Sequence, residues 1–314
     1  MPIGINIKKR RLELRMSQQD LADIMGYKTR STIAKIESGE NDVPHKKLKM
    51  FAEALDTSVE ALISNAPPAS GTDFIPSHYI PADQNKNVVL ILAGGKNCDA
   101  TPNIPNQFIN VQGKPLLVYC MEAYQRHPSI DEILVICLKG WEKIVNDYAK
   151  QYGITKLKGL IPGGASGAAS LENACKYMMG QYAEEDLVII QEATRPLVRP
   201  ETISSLLRVC EEEGSATICH SMNDYVQFNI ADGKAEYVDR NSMIALQSPE
   251  AHRFSLFKDV FAKATRLNHP LTESCCTMLM YHLGYPINFL RSSINNIKIA
   301  RVEDVAAFSA LIRD

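Results

Sequence analysis

The sequence lacks several features, and each absence narrows what it can be. It has no run of about eighteen apolar residues, so no segment reads as a transmembrane helix. Its opening stretch, MPIGINIKKRRLELRMS, lacks the apolar segment of a secretory signal. The eight cysteines show no CxxC or Cys/His metal spacing, and only Cys275 and Cys276 are adjacent. They read as reduced, mostly buried thiols of a cytoplasmic protein. There are no internal repeats and no low-complexity tract.

The composition is that of an ordinary soluble globular protein, with 45% hydrophobic and 22% charged residues over 314 positions. That length suggests two domains, or one large domain and a small one. The net charge of −2 hides an asymmetry. Residues 1–50 carry eleven Lys/Arg against six Asp/Glu, and residues 65–314 carry 23 against 27. A basic head on a mildly acidic body points to a polyanionic partner for the head, although a solvated basic helix has the same signature. The boundaries read as a head over 1–64, a linker over 65–87 and a large domain over 88–314. The linker has four prolines and no sustained apolar period. Phe74 and Tyr79 are its candidates for docking onto a neighbour.

The head reads as short helices. In SQQDLADIMG, Ser17 is an N-cap, Asp20 takes the third helical position and Gly26 ends the helix. Leu21, Ala22 and Met25 share its apolar face. Thr29 or Arg30 starts a second helix, with Ile33 and Ile36 inward and Gly39 as the stop. A third helix is expected from about Pro44 to Leu55, followed by a last short one. A helix, a glycine turn and a helix with polar residues at its start is the helix-turn-helix plan, whose second helix enters the DNA major groove. The side chains at that position are Lys28, Thr29, Arg30, Ser31, Thr32 and Lys35. Gln18 can clamp a phosphate or brace its neighbour. The whole run resembles the Cro/C1-type (XRE) helix-turn-helix family, with SQ..LA, S.I...E.G and P....L...A..L in register. It departs in GYKTRSTI, one residue longer than the commonest form. The resemblance implies double-stranded DNA as partner. The rival is a docking module that keeps the fold without DNA.

After Asn87, continuous apolar strands alternate with amphipathic helices. This predicts an α/β domain with a mostly parallel, Rossmann-like sheet covered on both faces. Ligands of such sheets sit beyond the carboxyl ends of the strands. That is where VVLILAGG, the Gly163–Gly164 pair and Gln191–Glu192 fall. IADGKAEYV is a hairpin signal with Asp232–Gly233 as its turn.

The ordered pieces LAGG.........P.QF, GG.....S, Q.A.RP, VDRN, QSPE and NIKIARVED resemble the 2-C-methyl-D-erythritol 4-phosphate cytidylyltransferases and their ribitol-phosphate relatives. Those enzymes join CTP to a polyol phosphate and release pyrophosphate. The resemblance implies a nucleotide site at Ala93, Gly94, Gly95, Lys96, Gly164 and Ser170, and a Mg²⁺ ligand at Glu192. It implies an acceptor-phosphate site at Arg240, Thr272 and Lys298, and a structural Arg195. It also implies an arm over 222–243 that crosses to a second copy in a homodimer. Two family cations are replaced, by Asp99 in the glycine loop and by Asn106 after Pro105; the acidic residue after the glycine pair becomes Ala165. Losing one such electrostatic stabiliser costs about a hundredfold or more in rate. Lys96 and Lys114 are the cations left to compensate. Three readings stay open: a ligand-responsive DNA-binding regulator, an active cytidylyltransferase with a DNA-binding head, and a dimeric scaffold without a small ligand.

Overall fold

Ser17 accepts a hydrogen bond from the backbone N–H of Asp20, and the Asp20 carboxylate accepts one from the backbone N–H of Ser17. This reciprocal cap satisfies donors that a helix start leaves free, and it fixes where α2 begins. The computed structural model describes residues 2–14, 16–41, 43–44, 47–55, 57, 59, 62, 85–101, 103–222, 226–239, 242–292 and 296–312. The chain divides into two compact units, each described by itself. The expected linker lies outside the described residues up to position 84, together with Phe74 and Tyr79, and Asn87 already belongs to a strand. The last short helix of the head falls largely outside them too.

The amino-terminal unit comprises α1 (Pro2–Glu13), α2 (Gln18–Ile24), α3 (Arg30–Ser38) and α4 (Leu48–Ala54). Gly26 and Gly39 both take positive φ, 70° and 79°, where a side chain would be strained. Ile7, Leu21, Ala22, Met25, Ile33, Ile36, Phe51 and Leu55 form its core. The expected third helix is shorter than its pattern. The chain at Pro44 makes a turn instead, with the Lys47 N–H donating to the Pro44 carbonyl at 2.7 Å, and α4 begins at Leu48. Arg11 and Glu37 form a buried ion pair at 2.6 Å, and the Gln18 amide donates to the second Glu37 oxygen at 2.8 Å. Gln18 therefore braces α3, the second of its two expected roles.

The carboxy-terminal unit opens with β1 (Asn87–Ala93). A 3-10 turn over Asn106–Phe108 leads to the small pair β2 (Asn110–Val111) and β3 (Lys114–Pro115). Then follow α5 (Leu116–Arg126), β4 (Glu132–Cys137), α6 (Glu142–Gln151), β5 (Leu157–Pro162), α7 (Gly167–Met178), β6 (Leu187–Glu192), α8 (Pro200–Glu213) and β7 (Ser215–Ser221). A hairpin of β8 (Gln227–Ala231) and β9 (Lys234–Val238) precedes β10 (Ile244–Arg253), α9 (Phe254–Arg266), α10 (Cys276–His282), β11 (Phe289–Arg291) and α11 (Val302–Leu311).

The main sheet has the order β11-β7-β10-β6-β1-β4-β5. Only β10 runs antiparallel to its neighbours, so the sheet is mostly parallel, as its alternating pattern predicts. Because side chains alternate along a strand, Val89 and Ile91 enter one core, with α5, α6 and α8. Val88 and Leu90 enter the other, with α7, α9 and α10. Burial on both faces explains why these strands read as continuous apolar runs. Six of the eight cysteines are buried, and all eight are free thiols. No helix among the described residues is long and apolar enough to cross a membrane. In the hairpin turn, Asp232 and Gly233 have φ of 51° and 74°, the left-handed pair that a two-residue hairpin turn requires.

Replacing Arg11 with Met leaves the Glu37 carboxylate buried without its counter-charge. The expected cost is about 3 kcal/mol, read as an earlier head transition in urea unfolding of the full chain. A change within measurement error would show that Gln18 alone satisfies Glu37.

Candidate functional site

Two glycine turns meet at the carboxyl edge of the sheet. Gly94 follows β1 and Gly163 follows β5. A Cβ built on Gly94 would lie 3.3 Å from the Gly163 Cα, so the backbones approach as only glycines allow. Gly164 is tighter: a Cβ there would meet Ala169 backbone at 2.6 Å. Its N–H donates to the Ser170 hydroxyl at 2.9 Å, and that hydroxyl donates to the Ser166 carbonyl. Ser170 is thus buried as a brace of the second turn. Ser166 caps α7 through the Ala169 N–H. Ala165 lies exposed between the turn and the cap.

One strand across, β6 ends in Glu192, paired in register with Leu92 of β1. Its carboxylate is held from both sides: Lys298 Nζ lies 2.5 Å from Oε1, and Arg195 Nε lies 2.7 Å from Oε2. Burial pushes this carboxyl up, but the Lys298 and Arg195 charges outweigh it and hold Glu192 below its ordinary range. Arg195 also donates to the Asn296 carbonyl at 2.9 Å, and the Asn296 amide donates to the Ser248 carbonyl at 2.7 Å. The Ser248 hydroxyl accepts from the Glu192 N–H at 3.1 Å. Gln191, fully buried, accepts from the Tyr124 hydroxyl and donates to the Arg195 carbonyl. The segments QEATR, QSPE and NIK therefore close into one polar network. Ser248 and Asn296 drew no role from the sequence. Their signal was present in those quoted motifs, but nothing local says that they face each other.

The loop after β1 is pinned rather than open. Gln107 donates to the Ala93 and Gly95 carbonyls, both at 2.8 Å, and so shapes the glycine turn. Asn106, expected where a phosphate-facing lysine stands in the family, is buried. Its oxygen accepts from the Ala100 N–H and its amide donates to the Ala300 carbonyl. It ties the loop to the 296–300 segment and faces inward, because a short amide satisfies two backbone groups there. Asp99 and Lys96 are exposed in the same loop. Lys114, the other cation expected to compensate, is engaged elsewhere: it pairs with Glu122 at 2.8 Å and lies over the Tyr119 ring.

Of the remaining expected residues, Arg240 lies outside the described residues. Thr272 is exposed between Leu271 and Glu273. In the head, Lys28, Thr29, Arg30 and Ser31 are exposed and Thr32 is half-buried around the start of α3, and Lys35 is exposed in its last turn. Thr29 occupies the N-cap position, although its side chain makes no capping bond.

A basic helix-turn-helix unit and an α/β unit with glycine turns at its carboxyl edge together define a protein with a DNA-binding fold joined to a nucleotidyltransferase fold. The family model described as 2-C-methyl-D-erythritol 4-phosphate cytidylyltransferase matches residues 87–314, and a helix-turn-helix model matches residues 7–62. The chain belongs to the 2-C-methyl-D-erythritol 4-phosphate cytidylyltransferase family, with a helix-turn-helix segment ahead of the shared domain. It is 31% identical to the ribitol-5-phosphate cytidylyltransferase of Lacticaseibacillus paracasei, over 72% of this chain and 97% of that protein. It is 29% identical to a 2-C-methyl-D-erythritol 4-phosphate cytidylyltransferase of Clostridium botulinum, over 70% and 95%. Among solved structures, the 4-diphosphocytidyl-2C-methyl-D-erythritol synthase of Anaerococcus prevotii shares the fold. The TM-score is 0.62 at 18% identity, covering 73% of this chain and 97% of that one.

Because the Glu192 pKa is lowered, the stability it contributes is present above the ordinary carboxylate range and fades as pH falls through the lowered value. Lys298→Met removes part of that lowering. Urea unfolding across a pH series should show the variant less stable than the parent at neutral pH, with the gap closing in acid. A gap independent of pH would mean that the Lys298 stem, not its charge, supplies the stability.

Proposed function

We propose that the chain is a DNA-binding transcriptional regulator whose carboxy-terminal unit binds a nucleotide, CTP foremost, or a phosphorylated polyol or sugar, with weak or no transferase turnover. The observation that carries this reading is the loop after β1. It offers a triphosphate one exposed lysine, Lys96, beside an exposed aspartate, Asp99, while Asn106 is turned inward. Ala93, Gly94, Gly95, Gly164 and Ser170 are the proposed nucleotide cradle, and a cradle without cations favours binding over the charge stabilisation that phosphoryl chemistry demands. Thr272, Lys298 and Arg240 are the proposed acceptor-phosphate contacts. Both Glu192 oxygens are engaged by cations, so Glu192 does not fit a resident Mg²⁺ ion. Lys28, Thr29, Arg30, Ser31, Thr32 and Lys35 are the proposed DNA contacts, with Gln18 as brace. Phe228, Ile230 and Tyr237 are exposed on the hairpin, which supports a homodimer through the 222–243 arm. A protein that remains monomeric in sedimentation at micromolar concentration would remove that part. The proposed location of such a regulator is the cytoplasm.

The second reading, an active cytidylyltransferase with a DNA-binding head, is favoured by the joined glycine turns and by the Glu192–Lys298 pair. Pyrophosphate release from CTP with ribitol 5-phosphate separates the two. The regulator reading expects release near background, together with a CTP- or ribitol 5-phosphate-dependent shift in the affinity for operator DNA. Steady turnover would establish the second reading instead.

Arg30→Ala is expected to weaken specific duplex binding by about 1–3 kcal/mol, measured by fluorescence anisotropy at fixed salt. Unchanged affinity would take α3 out of the interface. Asp99→Arg is expected to tighten CTP binding in calorimetry, since it removes a like charge beside the phosphates. Weaker binding would place Asp99 in contact with the ligand.

A further inference from the structure

Three side chains outside the Glu192 network converge on one point. His269 lies in the segment after α9, Glu273 precedes α10, and His282 is the last residue of α10. His269 Nε2 is 2.6 Å from Glu273 Oε1, and His282 Nδ1 is 3.0 Å from the same oxygen. One donor atom from each of the three lies within 4.8 Å of the others. Both rings crowd a single carboxylate oxygen, whereas the second, Glu273 Oε2, is shut off from solvent with no hydrogen-bond partner. The Glu273 side chain is 4% exposed, and those of His269 and His282 are 24% and 43% exposed. A buried carboxylate oxygen without a partner carries a desolvation penalty that a cation would remove. The imidazoles leave the point open to solvent on their side.

We propose that His269, Glu273 and His282 bind a divalent transition-metal ion of zinc's class, through one imidazole nitrogen of each histidine and the Glu273 carboxylate. Two imidazoles and a carboxylate suit zinc and its neighbours, whereas Mg²⁺ and Ca²⁺ prefer all-oxygen shells. The three protein donors leave a further coordination position to water.

The place of this cluster gives the ion a task. The Glu273 carbonyl accepts the Ala168 N–H at 2.9 Å, and the Leu271 carbonyl accepts the Ser166 hydroxyl. Gly167 has no Cβ where the Ser274 backbone passes. Residues 271–274 are thus the seat of the first turn of α7, the helix that carries Ser170 and through it braces Gly164. An ion on His269, Glu273 and His282 clamps that seat to the end of α10. It serves as a fastening for the second glycine turn.

The test uses the untagged full chain, with Co²⁺ as a spectroscopic probe and Zn²⁺ as competitor. The expected result is one ion per chain, with the visible bands of nitrogen- and oxygen-bound Co²⁺, displacement by Zn²⁺, and a Zn²⁺-dependent rise in melting temperature. His282→Gln, at the most exposed of the three positions, should weaken binding roughly a hundredfold and abolish the thermal shift, with the circular dichroism of the parent retained. His269→Gln should do the same. Glu273→Gln alters a buried side chain next to the seat of α7, so the two histidine variants carry the test. Absence of saturable binding overturns the proposal. So does binding undiminished in both histidine variants, or a thiolate-to-cobalt band that places the ion on cysteine.

Discussion

A half-buried carboxylate at the end of a central strand has to be paid for in charge, and Glu192 is that carboxylate. Lys298 and Arg195 supply the compensation, but they come from different parts of the chain. Arg195 is three residues on in the same turn. Lys298 arrives from the segment just before α11. Once it is there, the Ile299 N–H bonds to the Thr194 carbonyl, Asn296 reaches Ser248, and Asn106 reaches Ala300. The carboxyl-terminal segment is thereby drawn across the strand ends, and the loop after β1 is fixed against it. One electrostatic requirement organises three stretches of sequence that lie far apart.

The head obeys the same rule on a smaller scale. Glu37 sits at the inner side of α3 and is buried only because Arg11 of α1 and Gln18 of α2 meet it. Removing a charge pair from water is costly unless its remaining hydrogen bonds are made. Here the Arg11 guanidinium also donates to the Met16 carbonyl at 2.6 Å. The exposed polar side chains of Arg30, Ser31 and Lys35 thus stand on a helix fastened from behind.

Much of the carboxy-terminal architecture was legible in the pattern of residues. The apolar runs of β1, β4 and β6 signalled a sheet buried on both faces, and Asp232–Gly233 signalled its hairpin. Ser17, Gly26 and Gly39 punctuated the head where the backbone needs caps and positive φ. The start of α4 was not legible, because the sequence cannot show that Pro44 spends its carbonyl on a turn. The direction of Asn106 was not legible either. Aligned with a lysine, it read as a lost phosphate contact. Whether it faced a ligand or the interior depended on Ala100 and Ala300 standing close enough to take its amide.

By itself the sequence determined much of the local grammar of this protein: the caps and glycine stops of the head, the alternation of buried strands and helices after Asn87, the hairpin turn, and that a basic helical head precedes an α/β body. These follow from periodicity, caps and glycine turns, interactions that span a few residues. The tertiary structure alone decided which charges meet. It gave Lys298 to Glu192, took Lys114 away to Glu122, stood Gly94 against Gly163, and gathered His269, Glu273 and His282 about one carboxylate. Lys298 and Glu192, like Gly94 and Gly163, lie far apart in the chain and meet only once the sheet has closed and its crossovers have returned each segment to its place. Lys114–Glu122 and the His269–Glu273–His282 cluster join near neighbours in sequence, and there packing decides which way each side chain turns.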